Sequence, residues 1–136
     1  MQPAEDTSSD ANWVLIVDDE IDIVSVFKQG LENEGFRVIG FTDPALALEH
    51  FQINSRKYGI VISDCRMPGI NGYELIKRVK EIKSEAKVFL MTAFEINDAE
   101  FRAVLPDVMI DGFIQKPISV KDLVNMITEH IRLRGI

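Results

Sequence analysis

Three aspartates, a threonine and a lysine carry the chemistry open to this sequence. Asp18 and Asp19 follow an apolar run at 13–17, Asp64 follows one at 59–63, Thr92 one at 87–91, and Lys116 one at 112–115. If these runs are strands of one sheet, all five residues meet on one rim. Three carboxylates against one ammonium leave that rim with a local charge near −2. Two like charges about 4 Å apart repel by about 4 kcal/mol at an effective dielectric near 20, and a divalent cation relieves the repulsion. Carboxylate oxygens in a shallow site suit magnesium, which keeps several of its waters. No calcium-binding EF-hand loop is present, and Cys65, His50 and His130 are spread too widely for zinc. A magnesium ion beside a carboxylate, a lysine and a hydroxyl is a set for phosphoryl transfer. Lys116 and Thr92 would then bond phosphoryl oxygens. Asp64 would be the nucleophile, because a carboxylate can accept a phosphoryl group to give an aspartyl phosphate.

Taken singly, each residue has a plainer reading. A strand-end aspartate is usually a turn residue, and Asp18 with Asp19 could simply favour the start of the next helix. Thr92 could be a β-branched strand residue and Lys116 a snorkelling surface lysine. Cys65 reads as a small buried hydrophobe. The conjunction is what favours the chemical reading.

The elements that must position these residues alternate along the chain. Short apolar runs at 13–17, 36–41, 59–63, 87–91 and 112–115 read as strands. Between the first two, Ile21, Val24, Phe27 and Leu31 mark one helical face, and Gly35 stands where a C-terminal cap is expected. Asp43-Pro44 is an N-cap followed by proline at the first helical position, opening a helix to about Asn54. Pro68-Gly69 and Asn71-Gly72 mark turns before a helix with Leu75, Ile76, Val79 and Ile82 inward. A helix of about ten residues from Ile96 is expected, broken near Pro106. Ser119 with Asp122 three residues on resembles a capping box for a last helix through Val120, Val124, Ile127 and Ile131. Strands apolar throughout and separated by helices imply a doubly wound α/β fold with a parallel sheet. Ligands of such sheets sit outside the carboxyl ends of the strands.

The bulk numbers set limits. A chain of 136 residues fits one domain, and 46% hydrophobic with 27% charged residues is an ordinary globular balance. Residues 1–12 are expected to be a disordered polar tail, without the basic start and apolar stretch of a secretory signal. No apolar run is long enough for a transmembrane helix, and one cysteine suits a reducing cytoplasm. The net charge of −7 argues against a direct grip on nucleic acid.

The motifs resemble the receiver domains of two-component response regulators. The resemblance runs from residue 13 to about 133 and rests on four motifs in the family's order. They are Val-Leu-Ile-Val-Asp-Asp-Glu (14–20), Asp-Cys-Arg-Met-Pro-Gly-Ile-Asn-Gly (64–72), Met-Thr-Ala (91–93) and Phe-Ile-Gln-Lys-Pro (113–117). It implies a flavodoxin-like receiver fold, a five-stranded parallel sheet of order 2-1-3-4-5. It implies that Asp64 takes a phosphoryl group from a phosphohistidine on a sensor histidine kinase or histidine phosphotransfer protein. Asp19, Asp64 and the backbone carbonyl of Arg66 would ligate magnesium (manganese is an alternative), with Asp18 acting mainly through a metal-bound water. Thr92 and Phe113 would be the switch pair, and the Lys116–Pro117 peptide would be cis. Arg66 and Phe94 stand two residues after Asp64 and Thr92, at variable flanking positions, and would lengthen the phosphorylated lifetime.

These readings converge on a cytoplasmic signalling domain, stand-alone or truncated, covering 13–136. It would catalyse only its own phosphorylation and dephosphorylation, act on an unknown downstream protein, and contact neither nucleic acid nor membrane directly. Two other classes fit less well. A phosphatase with an aspartate nucleophile usually needs a second aspartate two residues on, where this chain has Arg66. A receiver-like binding module that has lost the chemistry should lack Asp19, Asp64 or Lys116, and none is missing.

Overall fold

Five parallel strands form one sheet in the order β2-β1-β3-β4-β5, which is the order the resemblance implies. The computed structural model describes residues 13–93 and 110–135. The expected tail at 1–12, the helix expected from Ile96 and Phe94 all lie outside the described residues, as does the side chain of Ile131. The strands are β1 (Trp13–Val17), β2 (Arg37–Phe41), β3 (Tyr58–Asp64), β4 (Lys87–Thr92) and β5 (Gly112–Gln115). Among the described residues four helices accompany them: α1 (Ile21–Asn33), α2 (Pro44–Asn54), α3 (Gly72–Ile82) and α4 (Val120–Gly135). A 3₁₀ turn, Ser55–Lys57, leads from α2 into β3.

The strands are apolar throughout because both faces of the sheet are covered. Alternate residues of β1 point to opposite sides. Val14 and Ile16 pack with Val24, Phe27 and Leu31 of α1 and Leu123, Val124 and Ile127 of α4. Leu15 and Val17 pack with Ala47, Leu48 and Phe51 of α2 and Leu75, Ile76 and Val79 of α3. Each fully buried aliphatic or aromatic side chain is worth about 1.5–3 kcal/mol, so these two layers fix the sheet and hence its rim.

Local signals set the helix ends. The Asp43 side chain accepts from the Ala45 amide at 2.9 Å, and Pro44 occupies the first turn. Asn71 does the same for the Glu74 amide at 2.9 Å, and Ser119 Oγ accepts from the Asp122 amide at 3.0 Å. Gly35 has φ 96°, the left-handed conformation that ends a helix at low cost only in glycine.

Two residues expected on inward faces are not there. Ile21 is 62% exposed and Ile82 38% exposed. Both stand at helix ends, Ile21 opening α1 and Ile82 closing α3, where a residue in phase with the apolar stripe overhangs the sheet rather than covering it.

Candidate functional site at the carboxyl rim of the sheet

The sheet brings the ends of β1, β3, β4 and β5 side by side. Val17 pairs in register with Ser63, Asp64 with Met91, and Thr92 with Gln115. The next residue on β1, Asp18, therefore leaves the sheet next to Asp64, while Lys116 leaves β5 next to Thr92 and its side chain reaches across the end of β4 to Asp64. Lys116 is held by its own amide, which donates to the Thr92 carbonyl at 2.7 Å, and its peptide bond to Pro117 is cis, as the resemblance implies. Asp18 is held twice. Its amide donates to the Phe41 carbonyl at 3.1 Å, and its Oδ1 accepts from the Glu20 amide at 2.9 Å. The Cys65 amide anchors the Asp64 carboxylate, donating to Oδ1 at 3.0 Å.

Asp18 is 0% exposed, Thr92 2% and Asp64 8%, whereas Asp19 is open to solvent. Carboxylate oxygens of Asp18, Asp19 and Asp64 all lie within 4.8 Å of one another. Lys116 Nζ stands 2.9 Å from Asp18 Oδ2, 3.2 Å from Asp64 Oδ1 and 3.9 Å from Glu20 Oε1. One ammonium thus serves two buried carboxylates.

The electrostatics follow from that sharing. Burial pushes the Asp64 carboxyl above its ordinary value and the Asp18 charge pushes it further, outweighing the help of Lys116 and the Cys65 amide. Burial alone would lower the Lys116 ammonium, but hydrogen bonding and attraction to Asp18, then Asp64, raise it. The two rises share one contributor, the Asp18 carboxylate, but burial leads the rise at Asp64 and opposes it at Lys116. Burial likewise raises the Cys65 thiol above its ordinary value.

Three oxygen-donor carboxylates, one of them solvent-facing, fit a hard divalent cation entering from outside. The residues singled out by type and spacing, Asp18, Asp19, Asp64, Thr92 and Lys116, are brought together. Arg66 is exposed just beyond the acceptor. Phe113 is half-buried on β5, in the layer that contains α2 and α3. Asp18 touches Lys116 directly, a contact that strand-end reasoning did not anticipate.

Two further participants were not singled out. Glu20 adds a fourth carboxylate near Lys116, and the acidic run 18–20 was its signal. Gly72 packs on the Asp64 backbone, and nothing in its Asn-Gly context distinguished it from a turn glycine. His50 and His130 sit against the rings of Tyr58 and Phe89, centroids 5.5 and 4.9 Å apart, and take no part in the site.

Comparison with known proteins agrees with this architecture. Residues 14–128 match the family model described as the response regulator receiver domain. The chain belongs to that family, a receiver domain of two-component signalling. It is 31% identical over 121 residues to the phosphoglycerate transport system transcriptional regulatory protein PgtA of Salmonella typhimurium, covering 89% of this chain and 28% of that protein. It is 32% identical over 112 residues to the response regulator SaeR of Staphylococcus aureus, covering 82% of this chain and 46% of that one. The chain therefore spans less than half the length of these relatives. Among solved structures, a CheY-like response regulator receiver domain protein of Methanospirillum hungatei superposes with a TM-score of 0.79 at 25% identity, covering 92% of this chain and 97% of that one. A receiver domain of Clostridium thermocellum matches in fold with a TM-score of 0.78. Among the described residues no helix is long and apolar enough to cross a membrane.

Proposed function

We propose that this receiver domain accepts a phosphoryl group on Asp64 from the phosphohistidine of a sensor histidine kinase or histidine phosphotransfer protein. The observation that carries the reading is Lys116 Nζ within 3.2 Å of both Asp18 and Asp64 at the meeting point of three strand ends. A carboxylate oxygen of Asp64 attacks phosphorus. The P–O bond forms as the P–N bond to the imidazole breaks, and the leaving imidazole takes up a proton. Lys116 and the Thr92 hydroxyl donate to phosphoryl oxygens. Asp19, Asp64 and the Arg66 carbonyl would hold magnesium or manganese, with Asp18 assisting through water. When bound, that ion neutralises charge on the transferred group.

The product is a signal rather than a metabolite, and the domain is not an enzyme toward other molecules. Phosphorylation adds about 1.5 to 2 negative charges, which favours a rearranged Thr92–Phe113 face for a downstream protein partner. Arg66 and Phe94 set how long that state lasts, and Arg66→Asn should change the dephosphorylation rate. With a net charge of −7, direct contact with nucleic acid is not part of the role.

Incubation with a small-molecule phosphodonor, with and without magnesium, followed by intact mass measurement, tests the reading. One phosphoryl group should be gained only with magnesium, and Asp64→Asn should gain none. Uptake that survives Asp64→Asn would overturn it.

A further inference from the structure

Asp64 can be positioned no better than the peptide that carries it, and that peptide is held from several sides. The Cys65 amide donates to the Met91 carbonyl at 2.8 Å on β4 and to Asp64 Oδ1 at 3.0 Å. Ser63, wholly buried on β3, donates its hydroxyl to the Asp64 carbonyl at 3.0 Å. The Gly72 amide donates to the Cys65 carbonyl at 3.0 Å and closes the base of loop 65–71. Gly72 also lies flat on the Asp64–Cys65 peptide. A Cβ added there would stand 2.1 Å from the Asp64 carbonyl oxygen and 3.0 Å from both the Asp64 carbonyl carbon and the Cys65 Cα.

The atoms that would be struck are backbone, so no rotamer can relieve the clash. Either the first turn of α3 lifts or the Asp64–Cys65 peptide tilts. Gly30 is the useful contrast. A Cβ there would stand 2.3 Å from Val120 Cγ1, the end of a side chain where α1 meets α4.

Resting on the reading of Asp64 as the acceptor, we propose that Gly72 and Ser63 are positioning residues. Together they clamp the Asp64–Cys65 peptide and so set where the Asp64 carboxylate stands relative to Asp18, Asp19 and Lys116. Gly72 acts by the absence of a side chain and Ser63 by its hydroxyl. Neither touches the transferred group.

The test compares wild type, Gly72→Ala, Ser63→Ala and Gly30→Ala at a temperature where circular dichroism shows each folded. Three quantities are read: phosphorylation rate with a small phosphodonor, manganese affinity by calorimetry, and hydrogen exchange of the Cys65 amide. A misplacement near 1 Å costs about 100-fold in rate, so Gly72→Ala should lose about that much. Disturbing the groups that orient metal ligands costs about tenfold in affinity, and manganese binding should weaken accordingly. Ser63→Ala should lose less in both, with faster exchange at Cys65. Gly30→Ala should lose thermal stability and keep wild-type rate and affinity.

Wild-type rate and affinity in both Gly72→Ala and Ser63→Ala would overturn the clamp. So would a loss in Gly30→Ala as large as in Gly72→Ala, because that would be the signature of general destabilisation. If Gly72→Ala does not fold, Ser63→Ala decides against the same Gly30→Ala control. If wild type takes no phosphoryl group, the acceptor reading fails, while manganese affinity and exchange still decide the clamp.

Discussion

At the amino ends of the strands, the polar groups of Lys83, Tyr58 and His50 find their partners within the chain. The Lys83 ammonium donates to three carbonyls of the turn between α2 and β3, those of Ser55 at 3.0 Å, Arg56 at 3.3 Å and Tyr58 at 2.8 Å. The Tyr58 hydroxyl lies 2.6 Å from His50 Nε2, and the Tyr58 ring meets Trp13 edge-on at 5.8 Å. Lys57 lies 4.9 Å from the centre of the Trp13 ring. The Trp13 Nε1 is an exception, a buried side-chain donor without a hydrogen-bond partner among the described residues. At the carboxyl ends the arrangement is the opposite. Two buried aspartates share one lysine, a third aspartate and Glu20 stand beside them, and the Asp64 carboxyl is pushed up. One end is built to be finished by the chain itself. The other is left short of positive charge, which is what a divalent cation can supply.

Removing the central lysine from each end should separate the two most sharply. Lys116→Met leaves Asp18 and Asp64 buried with no compensating charge, so the metal-free protein should lose about 3 kcal/mol of stability. Phosphorylation should fall to background. Magnesium should restore part of the lost stability, because a divalent ion replaces the missing charge at carboxylates already gathered within 4.8 Å. Urea unfolding with and without magnesium measures this. No magnesium response in the variant would mean that the aspartates do not form a cation site.

Lys83→Met should cost less, about 2 kcal/mol, by leaving carbonyls of residues 55, 56 and 58 short of a charged donor. Magnesium should not restore it, and the phosphorylation rate of the folded fraction should stay at the wild-type value. If this variant also lost phosphorylation, the two ends would be coupled through β3, and the division between structural and chemical ends would fail.

The contrast also explains what could be read from the sequence. The rim was legible because parallel strands end in chemistry. Once five apolar runs were placed, Asp18, Asp64, Thr92 and Lys116 had to converge, and Asp43-Pro44, Gly35 and Ser119 marked helix ends through local backbone rules. Contacts set by three-dimensional approach were not legible. Gly72 reads as half of an Asn-Gly turn, and only the packed structure shows it lying on the Asp64 peptide. Lys83 carries no sequence signal of its own, yet it caps a turn some twenty-five residues earlier in the chain. Ile21 and Ile82 carry the right period and still face solvent, because periodicity says which side of a helix a residue takes and not how far the sheet extends beneath it.

The smallest expected effect lies at the amino end and concerns His50. Burial, followed by repulsion from Lys57, lowers its imidazole below the ordinary 6.5. The folded protein therefore holds His50 neutral at pH values where the unfolded chain has begun to protonate it. Below 6.5 the unfolded state binds more protons, so stability falls as pH drops from 6.5 toward the lowered folded value, and above 6.5 the contribution is fully present and flat. His50→Gln removes the titrating group. Its urea midpoint should lack this component of the decline on the acid side of 6.5 while matching the wild-type slope above it. Phosphorylation should be indifferent to the change, since His50 packs on Tyr58 at the start of β3 and Asp64 lies at its other end. A His50→Gln variant that kept the full wild-type acid-side slope would show that another group titrates there, and would remove His50 from the comparison without touching the rim.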